Sequence, residues 1–208
     1  QRPGLLLLNG NVYIGFGSNG CDHNAHGWVF AYNAATLQQT GVFNTTPDVS
    51  EGGSVWQSGA GLAGDSDGNV YFSTAALGDF DANTGGMDFG DTVLKMNLSS
   101  GLLDWTDYFT PYNQSYLNTN DLDLGSGGVV LLPDQQSTTP HLLLAAGKEG
   151  VIYLVNRDDM GQFNQNGDNT VQELDTDLGQ VYSDPIYWNG MVYYCLLYTS
   201  PSPRDRQK

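Results

Sequence analysis

The chain has 208 residues, a formal net charge of -16 and a sequence pI near 4.1. A surface this acidic repels phosphate backbones and anionic lipid, which argues against nucleic-acid and membrane-surface partners. No apolar run approaches the roughly 18 residues that a membrane-crossing helix requires. Glycine (27), tyrosine (12) and tryptophan (4) are plentiful, and the Ala/Glu/Lys/Leu periodicity of helices is almost absent, so β structure with many turns is expected.

Residues 195–205, CLLYTSPSPRD, break with the Asp- and Gly-rich chain before them. They read as the translation of a transposase sequencing adapter, with residues 206–208 as index sequence. On this reading residues 1–194 are a natural fragment and residues 195–208 a non-native tail that fold reasoning must exclude. Setting the tail aside removes Arg204, Arg206, Lys208 and Asp205, so the net charge moves from -16 to -18. Cys195 goes with it, and Cys21 is left without an internal disulfide partner.

In chain order, a turn-then-strand unit recurs: Asn9-Gly10-Asn11-Val12-Tyr13-Ile14, then Asp67-Gly68-Asn69-Val70-Tyr71-Phe72, then Asn189-Gly190-Met191-Val192-Tyr193-Tyr194. Lys148-Glu149-Gly150-Val151-Ile152-Tyr153 is a looser copy. Each glycine supplies the positive φ of a hairpin turn. Further strands are expected at 27–33, to Phe43 after a turn at 34–37, at 91–97 and at 102–105. Self-similar four-strand units of roughly 40–50 residues signal a β-propeller. The fold class is therefore all-β, a propeller fragment of about three to four four-stranded blades from a larger ring.

Between residues 108 and 157 the pattern becomes site-like. Asp121-Leu122-Asp123 sits in a loop rich in Asn, Ser and Gly. The apolar runs 129–132 and 142–146 follow, too short for ordinary helices and closed by turn residues. Lys148 stands alone in the turn after them, and a third strand covers 151–155. A carboxylate pair, two strands and a lysine in a tight turn could form a site. The blander reading, which the residues alone favour, is loop caps bonded to backbone N–H groups and a surface hairpin lysine.

Other motifs read as structure. The loop Cys21-Asp22-His23-Asn24-Ala25-His26 carries metal-binding residue types, but the spacing fits no finger pattern. Asp65-Ser66-Asp67-Gly68-Asn69 opens like a calcium loop and lacks the distal glutamate, so a hairpin turn is expected. Trp28, Trp56, Trp105 and Trp188 are expected to pack between blades.

The segments GWVFAYNAATL (27–37), GGSVWQSGAGLAGDSDGNVYFSTA (52–75) and DYFTPYNQSYLNTNDLDLGSGGVVLLPD (107–134) resemble the PQQ-type, quinoprotein alcohol dehydrogenase-like propellers, in an uncharacterised bacterial branch. The resemblance covers most of residues 5–194. It implies pyrroloquinoline quinone (PQQ) and calcium as cofactors and a small alcohol or sugar as substrate. Thr110-Pro111-Tyr112-Asn113 starts like the family segment that carries the catalytic aspartate, which implies Asp121 or Asp123 as the base. Residues 148–157 match the family strand whose cation contacts the quinone, which implies Lys148 there. Thr74, in Ser73-Thr74-Ala75-Ala76, aligns with the family's Thr-Gly-Asn, and the asparagine that binds calcium is replaced by alanine. No residue of this chain is assigned as a metal ligand. Two functions follow. One is a secreted or periplasmic binding or scaffold propeller with a glycan or protein ligand, which the alanines favour. The other is a quinoprotein dehydrogenase with a degenerate metal site, which the Lys148 strand favours.

Overall fold

The protein was analysed as a computed structural model that describes residues 1–17, 25–49, 51–175 and 179–195. The Cys21–Asn24 part of the candidate metal loop and the tail beyond Cys195 lie outside the described residues.

Three four-stranded antiparallel meanders follow one another along the chain. The first contains β1 (Leu6–Leu8), β2 (Asn11–Phe16), β3 (Trp28–Asn33) and β4 (Gln39–Asn44). The second contains β5 (Ala63–Gly64), β6 (Asn69–Ser73), β7 (Val93–Ser99) and β8 (Leu102–Phe109). The third contains β9 (Val129–Leu131), β10 (Leu142–Ala146), β11 (Val151–Asn156) and β12 (Gln172–Asp175). A two-stranded hairpin, β13 (Ile186–Trp188) and β14 (Met191–Tyr193), comes last. In each meander the strand order equals the chain order, which is how a propeller blade is wound.

Alternation of side chains explains why the inner strands read as continuous apolar runs. Phe72 of β6 packs toward the first blade with Val29, Phe43, Leu94 and Met96, whereas its neighbour Tyr71 packs toward the third with Phe109, Leu143 and Tyr153. In β10, Leu143 and Ala145 face the second blade, and Leu144 and Ala146 face Val181 on the far side. Both faces of these strands are buried, so no polar alternation survives in the sequence. Neighbouring blades complete each other's cores.

The turns at one end are tight. Asn9-Gly10, Ser100-Gly101 and Asn189-Gly190 each have two positive φ angles in succession, the conformation whose twist suits a two-residue hairpin. At the opposite end run the β2–β3, β4–β5, β6–β7, β8–β9 and β10–β11 connections. A parallel bridge between Gly4 and Gly61, ahead of β1 and β5, shows that equivalent strands of the first two blades point the same way.

The structure departs from the sequence reading at four places. Lys148-Glu149-Gly150 is no true copy of the repeat: it joins the second and third strands of its blade, whereas the other copies join first and second. Asp91, expected to open a strand, lies before β7. Residues 114–119, for which no element was expected, form a short helix, α1 (Gln114–Thr119). Trp188 is also not a packing residue here, since it is 65% exposed, while Trp105 packs against Phe89 and Tyr108.

Candidate functional site

The switch of Lys148 to the second-to-third connection puts it at the same end as residues 74–91 and 110–128. Three connections from two blades meet there. Two glycines permit the close approach. A Cβ on Gly147 would lie 2.3 Å from the Asp123 carbonyl oxygen, and one on Gly125 would lie 2.6 Å from the Thr74 carbonyl carbon. The Lys148 N–H donates to the Asp123 carbonyl at 3.0 Å. On the other side, the Leu77 N–H donates to Asn118 Oδ1 of α1 at 2.7 Å.

Lys148 and both predicted aspartates converge. Lys148 Nζ lies 2.6 Å from Asp123 Oδ2 and 3.0 Å from Asp121 Oδ2, and it also donates to the Asp121 carbonyl at 3.0 Å. Asp123 Oδ1 accepts the Ala76 N–H at 2.8 Å. The Lys148 and Asp123 side chains are 13% and 9% exposed, against 63% for Asp121, so the Asp123 contact carries the energetics.

Thr74 is placed differently. Its hydroxyl is fully buried, donates to the Phe89 carbonyl at 2.5 Å and accepts the Thr92 N–H at 2.9 Å. It braces the 74–92 connection and points its hydroxyl at backbone, not at the Asp–Lys cluster.

A residue that sequence reasoning missed, Asp91, completes the group. It is fully buried, and its Oδ1 accepts the Leu124 N–H at 3.0 Å. Its Oδ2 is buried without a hydrogen-bond partner. Burial pushes this carboxyl well above the ordinary aspartate range, the Leu124 N–H opposes the shift, and the Asp123 and Asp121 charges add to it. Burial also raises the Asp123 carboxyl, against the pull of Lys148 and the Ala76 N–H. For Lys148, burial works to lower the pKa, but Asp123 and Asp121 outweigh it and hold the ammonium charged beyond its usual range. The only sequence signal for Asp91 was its place after Gly90, where aspartate tolerates the observed φ of 49°.

Elsewhere, Asp65 closes its hairpin turn by accepting the Asp67 and Asn69 N–H groups, as expected of a turn. Asp48, Asp81 and Asp88 bring carboxylate oxygens within 4.8 Å of one another, and these three could hold a cation. Backbone N–H groups already occupy two of their oxygens.

No family model matches the chain, and no curated protein matches it. Among solved structures it is similar to the quinohemoprotein alcohol dehydrogenase ADHIIG from Pseudomonas putida HK5, at 18% identity and a TM-score of 0.57 over 85% of this chain and 27% of that one. It is also similar to the quinohemoprotein alcohol dehydrogenase from Comamonas testosteroni, at 14% identity and a TM-score of 0.57 over 82% of this chain and 28% of that one. At such identities the likeness shows the fold alone: the blades of this chain are built like a portion of the propellers of those enzymes. The chain spans little more than a quarter of the length of those enzymes.

Proposed function

We propose that this chain belongs to a secreted or periplasmic propeller that recognises a glycan or protein ligand and has given up quinone chemistry. The observation that carries the reading is the state of Asp123. A general base must present a carboxylate lone pair to its substrate. Both Asp123 oxygens are engaged inside the protein, one by Ala76 N–H and one by Lys148.

The donor set does not fit PQQ and calcium. Calcium wants six to eight oxygen ligands. At the position where the resemblance implies a metal-binding asparagine, Ala76 offers an N–H, and that N–H is already given to Asp123. Lys148, the implied quinone contact, donates to the Asp121 carbonyl and Oδ2 and pairs with Asp123 Oδ2, so its ammonium is held by the protein's own oxygens. An acidic exterior without a membrane-crossing helix among the described residues suits a protein that works outside the cytoplasm.

The second reading, a PQQ- and calcium-dependent alcohol or sugar dehydrogenase, is favoured by one observation. The aspartate and the lysine to which the resemblance gives roles do lie in contact, at one end of adjacent blades. Titration with PQQ in the presence of calcium, followed by absorbance, separates the two. The recognition reading predicts no saturable binding up to high micromolar PQQ. Saturable binding that Lys148→Ala weakens at least about tenfold, or about 1.4 kcal/mol, would make the dehydrogenase reading the right one.

A further inference from the structure

The Asp–Lys cluster joins two blades through three connections, and what sits at its centre is unusual for such a joint. Lys148 Nζ is surrounded by three oxygens, the Asp121 carbonyl at 3.0 Å, Asp121 Oδ2 at 3.0 Å and Asp123 Oδ2 at 2.6 Å. Main-chain carbonyl and carboxylate oxygens converging on one positive centre are the ligands a hard cation collects. A third carboxyl, Asp91, lies behind them with Oδ2 buried and unpartnered, and it feels the charges of Asp121, Asp123 and Lys148. Without a positive charge at this point an ionised Asp123 would be costly to bury.

We infer that the Lys148 ammonium fills the cation position of this cluster, so that the joint between the second and third blades is closed by a side chain and needs no metal. The inference builds on the recognition reading, and the two fail on different readouts: that reading fails on quinone binding, and this inference fails on the calcium response of the cluster.

The lysine enters from the β10–β11 turn, and Gly147 lets the turn lie against the Asp123 carbonyl closely enough for Nζ to reach both aspartates. The aspartates come from the connection that follows α1 and leads into β9. One side chain therefore clamps the connection from the second blade onto the turn of the third, while Ala76 N–H and Asn118 Oδ1 tie the 74–92 connection to the same place. Removing the ammonium would leave these oxygens facing one another without a counter-charge. A divalent ion added to such a variant would find the carboxylates already gathered.

The test compares thermal unfolding in EDTA and in millimolar calcium for the wild-type chain and for Lys148→Met, Lys148→Arg and Asp123→Asn. In the wild type, calcium is expected to produce no Tm change that depends on Asp123. Lys148→Met should lose about 5 °C or more in EDTA, as expected for breaking a buried ion pair, and calcium should restore at least half of the loss. Lys148→Arg, which keeps the charge, should retain most of the wild-type Tm without calcium. A wild-type stabilisation by calcium that Asp123→Asn abolishes would overturn the inference, because the metal would then bind with the lysine present. A Lys148→Met protein as stable as the wild type in EDTA would overturn it as well. Should Lys148→Met fail to fold, the wild-type and Asp123→Asn calcium responses and the Lys148→Arg Tm still decide.

Discussion

Asp91 and Asp123 carry the same functional group and differ in what meets the second oxygen. Asp123 has an ammonium 2.6 Å away, while Asp91 Oδ2 has no hydrogen-bond partner. Burial therefore raises the Asp91 carboxyl well above its ordinary range in the folded chain, whereas in the unfolded chain it ionises freely. With a folded pKa above the unfolded value, its stabilising contribution is complete below about pH 3.9 and is lost as pH rises toward the folded value. Asp91→Asn keeps an oxygen for the Leu124 N–H and cannot ionise. The variant should match the wild-type Tm near pH 4 and gain on it as pH rises above the ordinary aspartate range; thermal melts from pH 4 upward check this, and a gap that shrinks with pH would contradict the raised carboxyl. Asp168 and Asp184, both pushed up to about 6 by burial, act in the same direction over pH 4 to 6 and are unaffected by the substitution.

At the scale of elements, the connections are interlocked by absent side chains. A Cβ at Gly147 would meet the Asp123 carbonyl oxygen at 2.3 Å and the Leu124 Cα at 2.5 Å, both backbone atoms that cannot swing away. A Cβ at Gly10 would meet nothing within 4 Å, and only its φ of 74° resists substitution. Gly10→Ala should then cost about 1 kcal/mol, and Gly147→Ala about 2–3 kcal/mol with loosening of the Lys148 contact. Urea denaturation of the two variants tests the order, and equal losses would show that the turn does not need its close approach.

The same elements show what could be read in advance. The hairpins at Asn9-Gly10 and Asn189-Gly190 were legible because turn chemistry is local, and the strand Leu142–Ala146 was legible because both its faces are buried. Asp121, Asp123 and Lys148 were legible as candidates through spacing and resemblance. That Lys148 sits at the opposite end from the other repeat copies was not, because a turn sequence does not say which strands of a blade it joins. Nor was α1, six residues long and without a side-chain N-cap bond, since it exists by docking against the 74–92 connection. Asp91 was illegible because its burial is set by residues 33 positions away.

For the whole molecule, three blades supply shared apolar layers, and the end of the blades bearing the long connections gathers Asp91, Asp121, Asp123 and Lys148, while Asp65 serves the tight-turn end. Carboxylates outnumber cations heavily, with 23 Asp and Glu against 7 Lys and Arg, so a buried lysine is a scarce resource and its placement at a blade joint matters. The central claim is that Lys148 is held by the protein's own oxygens and not kept free for a ligand. Heteronuclear NMR of the lysine side-chain ammonium groups tests it most directly, since Lys95, Lys148 and Lys208 are the only lysines. An ammonium held by two hydrogen bonds and a close ion pair, with its side chain 13% exposed, exchanges slowly and gives a cross-peak. The account predicts such a cross-peak, lost in Lys148→Arg and unmoved by millimolar calcium or by PQQ. No Lys148 cross-peak, or one that shifts saturably with calcium or PQQ, would contradict it.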